Sequence, residues 1–206
     1  MKTPPKIDLY QLHKNEYAAP RKPVLIETKP ALYLAITGQG APGGAAFTAK
    51  IGALYGMAFT IKMTRKFAGL QDYAVGKLEA RYFFESDPAR VPKDQWRWQL
   101  MIRTPDFVTQ ADLESAAAAL LKKGKQPEVS EVKLASIDEG QCVQMLHVGP
   151  YDREHETIAI MQGFAALQHL QFGGPHHEIY LSDPRRVPPE RLKTILREPV
   201  VAADRR

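Results

Sequence analysis

Two kinds of spacing alternate along this chain, and they do so in an order that recurs. Residues 31–37 read as a strand that runs into Gly38-Gln39-Gly40, and a helix follows with Phe47, Ile51, Leu54, Ala58 and Ile61 at spacings of four and three. Residues 78–84 and 96–103 then read as strands. Further on, residues 142–148 form a strand ending in Gly149-Pro150, and the next helix has Ile158, Met161, Phe164, Ala165 and Leu167 on one side. Strands at 176–181 and 192–197 complete the second set, so each half reads β-α-β-β. Between the halves, Thr109 caps a helix over 110–123 that ends at Gly124, ahead of Pro127. A strand over 132–137 precedes the Asp138-Glu139-Gly140 turn. Residues 1–30 hold five prolines and read as an extended arm with at most one helical turn.

Literal repetition supports the division. Ser86-Asp87-Pro88-Ala89-Arg90-Val91-Pro92 returns as Ser182-Asp183-Pro184-Arg185-Arg186-Val187-Pro188, an offset of 96, with six of seven residues identical. Met101-Ile102-Arg103-Thr104-Pro105 is echoed more weakly by Ile195-Leu196-Arg197-Glu198-Pro199 at an offset of 94, which places a loss of two residues in the second connection. The expected fold is α+β: pseudo-twofold duplicated β-α-β-β units forming an antiparallel sheet, helices on one face and a central ligand cleft on the other. The halves span about 31–105 and 141–200, joined by the helix and strand within 109–138.

Composition removes several classes of function. With 44% hydrophobic and 25% charged residues in 206, the chain is an ordinary globular one with a sizeable core. No run approaches the roughly 18 apolar residues of a membrane span, and the start has no apolar leader segment. One cysteine, Cys142, rules out an internal disulfide and suits a reducing cytoplasm, where the protein is expected to reside. The net charge of +5 is scattered, the densest groups being 62–66 and the terminal Arg205-Arg206, and no nucleic-acid-binding motif accompanies it.

Alternation along residues 176–181 puts Glu178 and Tyr180 on the face opposite Ile179 and Leu181. The apolar pair suits the helix-packed side, so Glu178 and Tyr180 are expected on the open face. The offset of 96 makes Tyr82 and Phe84 their counterparts across the same cleft, with Trp96 and Trp98 on the adjacent strand. Ring faces bind flat apolar ligands and cations, and a carboxylate among them can serve as counter-ion, general base or water-holding group. The alternative is a partly solvated Glu among ordinary cross-strand aromatics. Gly38-Gln39-Gly40-Ala41-Pro42-Gly43 matches a dinucleotide-binding pattern, but Pro42 removes a donor and the unit is antiparallel, so it reads as a turn. In His176-His177-Glu178 only His176 and Glu178 share a face, and a third ligand would have to come from His147 or His155, so neither a metal nor any other cofactor is expected. No GxSxG signature is present.

Leu54-Tyr55-Gly56-Met57-Ala58-Phe59-Thr60-Ile61-Lys62, Leu78-Glu79-Ala80-Arg81-Tyr82, His147-Val148-Gly149-Pro150-Tyr151 and His177-Glu178-Ile179-Tyr180-Leu181-Ser182-Asp183-Pro184-Arg185 together resemble the gyrase-inhibitor-like (GyrI-like) small-molecule-binding proteins, stand-alone branch. The resemblance implies a central ligand cleft, as in the effector domains of multidrug-responsive regulators. It also implies a cleft Glu that binds lipophilic, often cationic, compounds, and in some members hydrolysis of cyclopropanoid genotoxins of the cyclopropapyrroloindole type. Glu178 matches the family's acidic position; Tyr82 stands where Trp is common, and Ala80 and Arg81 depart from the family's Leu-Glu-Gly-Leu-Trp stretch. The catalytic candidates are Glu178, Tyr82 and Tyr151, and the ligand contacts Tyr180, Phe84, Trp96, Trp98, His176 and Tyr55. A small-molecule ligand is the expected partner, with no direct nucleic-acid or membrane binding and a homodimer left open. The alternative to hydrolysis is a drug-binding module or a gyrase-inhibitor-like interaction protein.

Overall fold

The computed structural model describes residues 5–85, 87–124 and 127–203. Ser86 of the repeated motif and the terminal Arg205-Arg206 pair lie outside the described residues. In chain order the first elements are α1 (Leu9–Leu12), α2 (Lys14–Tyr17), β1 (Val24–Glu27), β2 (Ala31–Gln39), α3 (Ala45–Phe67), β3 (Glu79–Phe83) and β4 (Arg97–Arg103). They are followed by α4 (Gln110–Lys122), β5 (Lys133–Ile137), β6 (Gln141–Val148), α5 (Glu154–Leu167), β7 (Leu170–Phe172), β8 (His176–Tyr180) and β9 (Lys193–Ala202). All the strand pairings described below are antiparallel. Among the described residues no helix is long and apolar enough to cross a membrane.

The chain divides into two compact units, Met1–Leu12 with Ala31–Ile137, and His13–Pro30 with Asp138–Arg206. In unit 1 the strands run β3-β4-β2-β5. Helix α3 covers one face with Phe47, Leu54, Met57, Ala58 and Ile61, all buried, as the four-three spacing requires. The opposite face holds the cluster of Ala31, Tyr33, Met101 and Ile137. Helix α4 starts at Thr109 with a capping box: the Thr109 hydroxyl accepts from the Asp112 N–H, and the Asp112 carboxylate accepts from the Thr109 N–H.

In unit 2 the order is β8-β9-β6-β1, with β7 pairing the end of β9. Helix α5 packs Met161 and Ala165 onto Val143, Met145, Leu196 and Val200. Each buried Val, Leu or Met side chain here stabilises by about 1.5–3 kcal/mol, against about 1 kcal/mol for a typical hydrogen bond, so this cluster holds α5 in place. The segment read as part of an extended arm contains two single-turn helices and supplies β1, whose Val24 stands opposite Gln144.

The second face of the unit 2 sheet is covered as well. His177 and Arg197, opposed in the β8–β9 ladder, point there together. His177 Nδ1 lies 2.9 Å from Glu139 Oε2, and Arg197 donates from Nη1 to the same oxygen at 3.4 Å. Arg197 also donates to Gln144 Oε1 at 3.3 Å and, from Nη2, to the Glu16 carbonyl of α2 at 2.6 Å. Buried charges survive only when paired and hydrogen-bonded in this way.

Candidate functional site

Residues directly opposed in an antiparallel ladder share a face. Glu178 stands opposite Leu196, and Leu196 belongs to the cluster under α5. Glu178 therefore lies on the helix-packed side, and the expectation that it faces away from the helices is reversed. The alternation holds; the side is exchanged, because buried Ile179 and Ile195 pack on the face that α2 and the Arg197 network cover. Tyr82 is opposite Trp98, whose indole meets Phe47 of α3 edge-on at 4.9 Å, so Tyr82 too is on the helix side of its unit.

Around Glu178 the structure gathers a chain of ionisable groups from three elements. His176, two residues earlier on β8, turns Nε2 to Glu178 Oε1 at 3.2 Å. Its Nδ1 meets Glu198 Oε1 of β9 at 2.5 Å. Glu154, the first residue of α5, is buried beside Glu178 and Thr194, yet its Oε1 completes no well-formed hydrogen bond, nor does Thr194 Oγ1. Glu154, Glu178 and Glu198 are each less than 8% exposed.

Burial, and then the neighbouring Glu178 charge, push the Glu154 carboxyl up to about 9, so it holds a proton at neutral pH. The α5 N-terminus favours an anion by only about 0.3–1 kcal/mol, too little to offset that desolvation. Burial alone would discharge His176; the Glu198 carboxylate and the hydrogen bonds to Glu178 and Glu198 outweigh it and hold the imidazolium well above its usual range. As a cation the ring donates from both nitrogens, and the array runs Glu198, His176, Glu178, Glu154, with the ring charged and the last carboxyl protonated.

Tyr151 and Tyr180 form the aromatic rim, with rings edge to face at 5.8 Å. The Tyr151 hydroxyl is raised to about 12 by burial and by Glu154, Glu178 and Asp183, so it is a phenol that donates. Of the predicted contacts, then, Glu178, Tyr151, Tyr180 and His176 come together in unit 2. In unit 1, Tyr82, Phe84 and Trp96 pack on one another. Trp96 donates to the Val91 carbonyl and Trp98 to the Gly40 carbonyl, while Tyr55 stacks on Phe59 along α3.

Ladder registers also revise which residues correspond. The Gly40 N–H donates to the Trp96 carbonyl, and the Gly149 N–H donates to the Leu192 carbonyl, which makes Trp96 and Leu192 equivalent. Trp98 then corresponds to Thr194, and their partners Tyr82 and Tyr180 correspond to each other. The counterpart of Glu178 is Ala80, opposite Leu100 as Glu178 is opposite Leu196. Phe84-Glu85, extra residues ahead of the repeated motif in the first half, shift the count that pairs Tyr82 with Glu178. The two-residue difference thus falls before that motif rather than in the connection after it.

His147 and His155 do not join the cluster: His147 Nδ1 meets Thr157 Oγ1 at 2.8 Å, and His155 Nδ1 meets the Asp152 carbonyl. Glu154 instead makes a third donor, and Glu154, His176 and Glu178 offer ligand atoms within 4.8 Å of one another. A cation held there would take the His176 nitrogen that faces Glu178 Oε1 and so would displace that contact. Glu154 and Glu198 were missed by sequence reasoning. Their signal is an acid on an otherwise apolar face: Glu154 begins the stripe continued by Thr157, Met161 and Ala165, and Glu198 alternates with Leu196 and Val200.

The sequence matches the model of the GyrI-like small-molecule-binding domain over residues 21–200. Among solved structures, an uncharacterised conserved protein from Listeria innocua is similar at 40% identity and a TM-score of 0.89, over 95% of this chain and 100% of that one. A hydrolase from Listeria innocua is similar at 38% identity and a TM-score of 0.87, over 96% and 100%. The C-terminal domain of EcmrR shares the fold at 10% identity and a TM-score of 0.58, over 88% and 98%. No curated protein matches the sequence. On the extent of the domain match and of the Listeria likenesses, this chain belongs to the GyrI-like small-molecule-binding domain family.

Proposed function

We propose that the Glu154–Glu178 pair binds lipophilic small molecules under the Tyr151–Tyr180 rim and hydrolyses strained electrophiles of the cyclopropapyrroloindole class. The observation that carries this reading is the pair itself: two adjacent buried carboxyls, of which Glu154 is pushed up to about 9 by burial and by the neighbouring Glu178. Carboxyls held in opposite protonation states supply a base and an acid at one pH. Glu178 takes a proton from a water molecule as its oxygen bonds to the cyclopropane carbon. The ring C–C bond breaks, and its electron pair passes into the conjugated carbonyl. The resulting oxyanion is stabilised by the Tyr151 hydroxyl and protonated from Glu154. Ring strain provides much of the driving force. The 38% identity to a Listeria innocua hydrolase supports hydrolysis as the class of reaction.

The test is multiple-turnover incubation with a cyclopropapyrroloindole-type compound, with the ring-opened product followed by mass spectrometry. Glu178→Gln is expected to keep the circular dichroism of the wild type and lose about a hundredfold or more in rate. Wild-type-like turnover by that variant would remove Glu178 from catalysis. A second reading rests on charge. Two carboxylates and one imidazolium leave a single net negative charge, which suits a cationic ligand with Glu178 as counter-ion. A stoichiometric plateau without product would select that reading.

A further inference from the structure

Glu198 touches no position assigned to substrate, yet it is buried and directly opposes the histidine that touches Glu178. His177 pairs with Arg197 in the β8–β9 ladder, so the step before it sets His176 against Glu198, both on the α5 side. We propose that Glu198 is the positioning residue of this site: by accepting the Nδ1 proton of His176 it fixes that ring as a doubly donating cation, holds Nε2–H on Glu178, and so leaves the proton of the carboxyl pair on Glu154.

The geometry supports each link. A carboxylate oxygen 2.5 Å from Nδ1 is a short, charge-assisted contact, and the Nε2 contact at 3.2 Å is the ordinary one. Among the described residues, the charged groups beside His176 include Glu178 on its own strand, Glu198 on β9 and Glu154 from the start of α5. Glu178 alone would leave one ring nitrogen buried without an anion, and desolvation would then favour the neutral ring. A neutral ring removes the positive charge hydrogen-bonded to Glu178, and with it the bias that adds to the burial of Glu154 in keeping the pair's proton there. Glu198 sets that bias through the ring and not by touching substrate.

This inference rests on Glu178 being the working carboxylate, and its test has a readout that does not depend on turnover. In ¹⁵N-labelled protein the His176 ring nitrogens report their protonation directly by NMR. The wild type is expected to show both nitrogens protonated at neutral pH and well above it. Glu198→Gln is expected to move the loss of that proton down by about one pH unit or more, the usual effect of removing an adjacent opposite charge. It should also lower kcat about tenfold or more with KM nearly unchanged and displace the alkaline limb of the pH–rate profile. Glu198→Asp, which keeps the charge, should restore the doubly protonated ring. A neutral His176 in the wild type at pH 7, or an unshifted His176 titration in Glu198→Gln, overturns the proposal. Should Glu198→Gln not fold, the wild-type NMR state alone decides. Absence of turnover by the wild type would reject the hydrolase reading and leave the His176 measurement to judge Glu198.

Discussion

Where α3 begins in unit 1, Phe47 meets the indole of Trp98 edge-on, and Gly38 opposite it leaves the ring its space: a Cβ there would come within 2.2 Å of the indole. Where α5 begins in unit 2, the buried stripe opens with Glu154, the Trp98 position is Thr194, and the Gly38 position is His147. Ala80 in one ladder is Glu178 in the other. The backbone plan is the same, and the contents are opposite. Unit 1 fills the space with one large apolar side chain beside a glycine. Unit 2 puts a small hydroxyl residue there and surrounds it with carboxyls. One framework thus serves as apolar core in one unit and carries the proposed acid–base site in the other.

The comparison can be broken most directly by emptying the filled unit. Trp98→Ala is expected to cost about 3–5 kcal/mol in denaturant unfolding, as for other fully buried aromatics. A loss below about 1 kcal/mol would mean that the indole is not what fills unit 1. A smaller effect, of opposite sign, sharpens the unit 2 side. Between about 4.5, where an unfolded Glu titrates, and about 9, where Glu154 titrates in the fold, the folded state binds more protons than the unfolded one. Stability therefore falls as pH rises through that window. His176, also raised, adds in the same sense: its contribution is complete below about 6.5 and is lost as pH climbs through its folded value. Melting temperature should accordingly decrease from pH 6 to pH 9. Glu154→Gln, a permanently neutral isostere, should flatten that slope and stabilise at pH 7–8 by about 1–2 kcal/mol. Destabilisation instead would place a carboxylate, not an acid, at Glu154. Least in size is Tyr151→Phe, which keeps the edge-to-face contact with Tyr180 and should change stability by no more than about 0.5 kcal/mol. Its turnover should drop severalfold, measured in the same product assay, because only a donated hydrogen bond is lost.

Much of this framework is legible in the chain. Alternation and four-three spacing locate β2, α3, β3 and β4 and their unit 2 equivalents, and Thr109 announces α4 through its cap. Glu178 and Tyr180 are found because a strand of alternating polarity ends in the repeated motif, and Tyr151 through the family-like stretch from His147 to Tyr151. What stays hidden has two physical causes. The first is that burial cannot be assigned to a face by apolarity alone when both faces are covered: Ile179 is buried under the N-terminal segment, and Glu178 is buried under α5. The second is that Glu154 and Glu198 arrive from other elements, through helix docking and ladder register that no spacing within one strand reveals. Residues 24–27 look like an arm because prolines flank them, although Pro23 and Pro30 bound the strand without entering it.

The pairing of β1 with β6 has a consequence for how the chain is made. The Thr28 hydroxyl donates to the Gly140 carbonyl, and the guanidinium of Arg197 reaches the Glu16 carbonyl, contacts that span 112 and 181 residues. The strand β1 thus waits, unpaired, until β6 has been made, since Val24 pairs with Gln144. Such non-local closure is slow, and it exposes a sheet edge in the meantime. Prolines on both sides of the waiting strand, which neither extend it nor donate hydrogen bonds, protect that edge from premature partners during synthesis.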